Sequence, residues 1–236
     1  MPKRYWFIII TYVLMHLSGF VALPVMVYNF YISPEEAIIY WNIISFLIAT
    51  VIILFLLSQD MSEGSRKDAA STSQVIMWSI IGVFLAFFSQ IIAALIETEV
   101  LGIEAGSENT AQIMELMRSI PLFMIVPTIF APILEEVVFR KVIFGAFYKR
   151  LNFFIAALLS SLIFGIIHEE PQHLLIYSSM GFVFAFLYVK TKRIIVPIIA
   201  HAAMNSITVF VQYSLDPEEL EQMRRQFEEM MIFIGY

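Results

Sequence analysis

Three short patterns hold the residues that could do chemistry. The first is Glu135-Glu136-Val137-Val138-Phe139-Arg140, the second Phe164-Gly165-Ile166-Ile167-His168, the third His201-Ala202-Ala203-Met204-Asn205. Each lies inside or at the edge of an apolar run. A charge at the centre of a bilayer costs about 2.5–3.5 kcal/mol on insertion scales, so such residues need partners or a wet cavity. Glu136 and Arg140 are four apart on one helical face and can pair. Glu135 points about 100° away and lacks that partner. Phe164 and His168 share a face, as do His201 and Asn205. Carboxylate, imidazole and amide groups can serve acid–base hydrolysis, a proton relay or a metal site.

Each residue also has a plainer reading. Glu136 with Arg140 could be an inert buried pair, since pairing is what a buried charge needs anyway. His168 could be a satisfied helix-end histidine. His201 and Asn205 could be interhelical hydrogen-bond glue, with Ala202 and Ala203 allowing close approach. His16 stands alone in an early apolar run and is read as packing. Glu169, Glu170 and His173 are read as solvated residues of a turn, with His173 in reserve as a further ligand. The plainer readings weaken jointly. An unpaired Glu, two His and an Asn on separate apolar helices stay unsatisfied unless they meet.

The elements that must position them are membrane helices. The 236-residue chain is 60% hydrophobic and 14% charged, with mean hydropathy +0.82. A soluble domain carries about 25% charged residues. We read an all-α, polytopic helical membrane protein of one domain. There is no cysteine, which excludes disulfides, thiolate metal sites and a cysteine nucleophile. The net charge of −6 argues against a nucleic-acid partner.

Apolar runs cover about 5–32, 37–57, 75–96, 119–148, 152–168, 174–189 and 194–213, which predicts seven spans. The first is too long for a signal-peptide core and is kept as a span. Pro121, Pro127 and Pro132 should kink or break the fourth. The fifth and sixth are short. An eighth element could hide in 97–118 or in the tail. Lys3, Arg4, Arg66, Lys67, Lys149, Arg150, Lys190, Lys192 and Arg193 fall on one side, which places the N-terminus inside. Residues 1–118 form the N-terminal transmembrane helices and their loops, 119–213 the core with the polar patterns, and 214–236 a tail. Asp216-Pro217-Glu218-Glu219 opens that tail as a helix start, and apolar residues at helical spacing predict an amphipathic surface helix. On this topology the depths of Glu135, His168 and His201 disagree. Either the turn after His168 sinks into the protein or the broken fourth helix re-enters.

The three patterns, in this order on successive membrane helices, resemble the CAAX prenyl protease and bacteriocin-processing family of intramembrane proteases, to which Ras-converting enzyme belongs. The resemblance spans about 122–211, and no motif position departs from it. It implies an endopeptidase in which Glu135 activates the attacking water with help from His168. His201 and Asn205 would stabilise the oxyanion. Glu136, Arg140 and Phe164 would support the site. Family members are often called metalloproteases; zinc held by Glu135, His168 and His201 is one option, and a metal-free glutamate mechanism is preferred. The substrate would be a membrane-associated protein or peptide: a prenylated protein, a leader peptide or a bacteriocin precursor. The expected location is the cell membrane of a prokaryote. Two other functions compete. One is a non-catalytic scaffold that regulates a partner such as a sensor kinase. The other is a proton-coupled transporter, against which stands the lack of paired interrupted helices in two halves.

Overall fold

The computed structural model describes residues 1–62, 68–215 and 226. No strand occurs among them. The elements are α1 (Lys3–Leu17), α2 (Gly19–Phe30), α3 (Pro34–Ser62), α4 (Thr72–Leu95), α5 (Glu108–Ser119), α6 (Pro121–Tyr148), α7 (Phe153–Ile167), α8 (Leu174–Thr191) and α9 (Ile195–Ser214).

Six segments are long and apolar enough to cross a membrane: Lys3–Phe30, Pro34–Asp60, Thr72–Val100, Pro121–Tyr148, Pro171–Thr191 and Ile195–Ser214. The expected fifth span is different. α7 has 15 residues, about 22 Å at 1.5 Å per residue, and falls short of a hydrocarbon core of about 30 Å. The expected sixth is not short: it runs over 21 residues, Pro171–Thr191. The expected first helix breaks at Ser18, whose hydroxyl turns back to the Met15 carbonyl at 2.6 Å. The segment 97–118 does hide a helix, α5, but it is polar and has only 12 residues. The amphipathic tail lies outside the described residues, apart from helical Gln226.

Local chemistry explains the helix starts. Ser71 and Gln74 form a reciprocal capping box at α4. Ser107 caps α5 through the Thr110 N–H, and Asn152 caps α7 through the Ile155 N–H, both at 3.0 Å. α8 has no cap from its own side chains. Glu97 reaches across from the end of α4 and accepts the N–H groups of Leu175 and Ile176, each at 3.1 Å.

α6 does not break at its prolines. It loosens into π-helical turns at Val126–Phe130 and Glu136–Phe144. The Ala131 N–H bonds the Val126 carbonyl, five residues back. In that register the Pro127 carbonyl would wait for residue 132, and Pro132 has no N–H to give. A backbone acceptor is thereby freed inside the protein.

The helices carrying the polar patterns approach closely. α8 packs on α4 and α7, and α9 packs on α4 and α6. A Cβ on Gly181 would stand 2.9 Å from the Ser161 hydroxyl and 3.2 Å from its Cα. At Gly82 it would stand 2.9 Å from the Ala200 Cβ, next to His201. These contacts set how closely α8 approaches α7 and α9 approaches α4.

Candidate active site

Glu136 and Arg140 pair, as their spacing predicts. Arg140 Nε lies 3.2 Å from Glu136 Oε2, and both side chains are buried, at 1% and 0% exposure. The rest of the guanidinium has no hydrogen-bond acceptor among the described residues. Aromatic faces stand in. The Arg140 guanidinium lies 4.2 Å from the centre of the Phe164 ring, 5.3 Å from Phe184 and 5.9 Å from Phe139. A desolvated cation–π contact is worth about 2 kcal/mol, so the cage offsets part of the cost of burying this charge.

His201 stands between the two carboxylates. Its Nδ1 is 2.9 Å from Glu136 Oε1, and its Nε2 is 3.8 Å from Glu135 Oε2. A carboxylate only accepts, so Nδ1 carries a proton. The Nε2 contact is too long for a direct hydrogen bond. Phe184 stacks on the His201 ring at 4.8 Å and 19°. Glu135 keeps 15% of its side-chain surface open, while Glu136 keeps none. The carboxylate without the arginine is therefore the accessible one.

His168 caps α7. Its Nδ1 lies 2.8 Å from the Phe164 carbonyl, which only accepts, so Nδ1 donates and Nε2 is left as a lone-pair acceptor in the neutral ring. Tyr177 stacks on the ring at 4.1 Å and 23°, and Phe164 meets it edge-on at 4.6 Å. Phe164 thus touches Arg140, His168 and, at 6.3 Å, His201.

Asn205 lies one turn beyond His201. Its amide donates to the Pro127 carbonyl at 2.9 Å. That is the acceptor Pro132 leaves unfilled. One amide proton is therefore committed to holding α9 on α6, and one remains. Ser160 does a similar job from α7, donating to the buried Phe139 carbonyl at 2.9 Å.

The fold brings Glu135, Glu136, Arg140, Phe164 and His201 into one cluster. His168 borders it through Phe164, and Asn205 continues the His201 face. In the turn after His168, Glu170 and His173 are tucked into the protein while Glu169, Pro171 and Gln172 are exposed. The reading of Glu170 and His173 as solvated is wrong: they are 5% and 6% exposed. His173 Nδ1 pairs with Glu97 Oε2 at 2.8 Å, so it is not a reserve ligand for the site. Glu170 accepts from Ser107, Tyr177 and the Asn109 N–H. Burial raises the affinity of Glu170 for its proton, but these donors outweigh it and hold the carboxyl below its usual range. Glu169 is exposed, in a left-handed conformation at φ 58°.

Tyr177 and Phe184 escape a reading of the sequence. They lie seven apart on α8, two turns along one face, and each holds one histidine ring. Along the chain they look like ordinary core aromatics. Tyr12 escapes it too, and His16, read there as packing, has a second side to it. Both lie in electrostatic range of Glu135. Their one-turn spacing is the available signal, matching Phe164–His168 and His201–Asn205.

A metal needs more than the fold offers here. Catalytic zinc usually has three protein ligands. Among the described residues no three His, Asp or Glu side chains converge on one point. The set Glu135, His168 and His201 does not come together as a cage among the described residues.

The model of a family described as type II CAAX prenyl endopeptidase Rce1-like matches residues 117–207, which contain all three polar patterns. YdiL of Bacillus subtilis (strain 168), provisionally named a membrane peptidase, is 44% identical over 245 positions, covering 100% of this chain and 98% of its own. MroQ of Staphylococcus aureus (strain USA300), named a membrane-embedded CAAX protease, is 33% identical over 237 positions, covering 94% and 95%. No solved structure matches the chain. With two relatives aligned along nearly the whole length, the chain belongs to the Rce1-like family of type II CAAX prenyl endopeptidases.

Proposed function

We propose that this integral membrane protein is an intramembrane endopeptidase of the glutamate type. One observation carries the reading: His201 is fixed by buried Glu136 so that its Nε2 faces the open carboxylate of Glu135. In the reaction, water attacks the carbonyl carbon of the scissile peptide and Glu135 takes the water proton. Electron density moves onto the carbonyl oxygen. The intermediate then collapses, the C–N bond breaks, and the proton passes from Glu135 to the leaving nitrogen. His168 Nε2 is the second acceptor that can hold the water.

His201 Nε2 and the uncommitted Asn205 proton would stabilise the oxyanion. With Nδ1 on Glu136, Nε2 can donate only if His201 carries both protons. The substrate is a membrane-associated peptide or protein, and the bacterial relatives favour the cell membrane of a prokaryote as its setting.

The test uses protein purified in nanodiscs and internally quenched peptides, one set prenylated at a C-terminal CAAX sequence and one set with leader-peptide sequences. Wild type should cleave at least one set. Glu135→Gln should lose about 10²–10⁴-fold in turnover with an unchanged melting temperature. Wild-type turnover in Glu135→Gln would overturn the assignment. Metal analysis on the same preparations separates the second mechanism. Stoichiometric zinc that disappears in His201→Ala would replace the metal-free reading.

A further inference from the structure

We propose that Tyr12 and His16 of α1 form the substrate-facing wall of the site, and that His16 binds the peptide backbone at its mouth. The inference rests on the protease reading and adds binding residues from outside the segment that the family model matches.

Position is the first argument. His16 is in electrostatic range of Glu135, His168 and Glu169, and Tyr12 of Glu135 and Arg140. The two are one turn apart, with rings in edge contact at 4.8 Å. Tyr12 is 5% exposed and packs edge-on against Phe139 at 5.8 Å, next to Arg140. His16 is exposed. The pair therefore runs from Phe139, beside the buried ion pair, out to exposed His16.

Free polar atoms are the second. A peptide entering an apolar interior brings N–H and C=O groups that need partners. Much of the central site is already committed: His201 Nδ1 to Glu136, His168 Nδ1 to Phe164, one Asn205 proton to Pro127. The Tyr12 hydroxyl and both His16 ring nitrogens make no hydrogen bond among the described residues. They can donate and accept, as backbone recognition requires.

Rigidity is the third. At one end of α1, Arg4 and Tyr5 bind Asp60, which also holds Lys141 of α6 at 3.2 Å. At the other, Trp41 Nε1 donates to Ser18 Oγ at 2.9 Å, just past His16. Phe46 braces the His16 ring at 5.9 Å. A helix clamped at both ends holds its side chains in place before substrate arrives.

Two measurements test this. With a peptide that wild type cleaves, His16→Ala should raise KM about tenfold with kcat nearly unchanged, the signature of a lost binding contact. His16→Gln, which keeps a donor and an acceptor, should restore part of it, and Tyr12→Phe should raise KM by a smaller factor. Unchanged KM in His16→Ala, or kcat and melting temperature falling together, overturns the proposal. The second measurement needs no substrate and survives failure of the protease reading. The chain has no cysteine, so single replacements can be labelled cleanly. In nanodiscs, a water-soluble maleimide should label His16→Cys at least about tenfold faster than Leu14→Cys, which lies on the opposite face of α1. Equal rates would mean that no wet mouth opens at His16.

Discussion

Two buried glutamate–histidine pairs sit in this molecule, and they are nearly superimposable as chemistry. Glu97 meets His173 Nδ1 at 2.8 Å, and Glu136 meets His201 Nδ1 at 2.9 Å. Both carboxylates are almost fully buried, at 1% and 0% exposure. The difference lies in what surrounds them. Both Glu97 oxygens are hydrogen-bonded, one to His173 and one to two backbone N–H groups at the start of α8. That pair closes a helix end and leaves no donor waiting. Glu136 has Arg140 beside its second oxygen, and its histidine turns the other nitrogen toward an open carboxylate. The first pair is complete in itself, whereas the second leaves His201 Nε2 facing Glu135 with no hydrogen bond made. The lesson is that a buried Glu–His pair becomes a candidate for catalysis only when some part of it remains unfilled.

The comparison can be broken from either side. The largest stability effect is expected at Arg140. Arg140→Ala leaves Glu136 buried without its cation, at a cost of about 3–5 kcal/mol. Thermal melting in nanodiscs should show it, with activity falling alongside. A stable, inactive Arg140→Ala protein would move Arg140 from support to substrate binding. Glu97→Gln should come next. It weakens the His173 contact and the cap on α8, costing about 1–3 kcal/mol, while kcat per folded molecule stays near wild type. Loss of kcat in fully folded Glu97→Gln would erase the distinction between the pairs.

The smallest effect concerns Glu170, which ties the N-terminus of α5 to Tyr177 beneath His168. Its carboxyl is held below the usual range when folded. The contribution to stability is therefore complete above the unfolded value of about 4.3 and is lost as pH falls through the lower folded value. Melting temperatures of wild type and Glu170→Gln should differ at pH 7, begin to approach below about pH 4.3, and converge only once pH has fallen through the lower folded value. A gap that persists unchanged at acid pH would assign the effect to packing.

Much of this was legible in the chain itself. Composition alone required membrane helices, because so apolar a chain cannot cover itself with polar surface. The four-residue spacing of Glu136 and Arg140 required a pair, and it left Glu135 over. The order of Glu-Glu-x-x-x-Arg, Phe-x-x-x-His and His-x-x-x-Asn pointed to the family. Tertiary structure decided the rest, because spacing along one helix says nothing about which face another helix presents. It chose His201 as the partner of Glu136, and it filled the acceptor stranded by Pro132 with Asn205. Tyr177 and Phe184 became the backing of two histidines, although along the chain they are indistinguishable from core aromatics. Burial drew Glu170 and His173 into structural contacts, His173 with Glu97, where their polar neighbours in sequence suggested solvent. It also brought Tyr12 against Phe139, and Tyr12 with His16 into electrostatic range of Glu135, across more than a hundred residues, a distance no local pattern can encode.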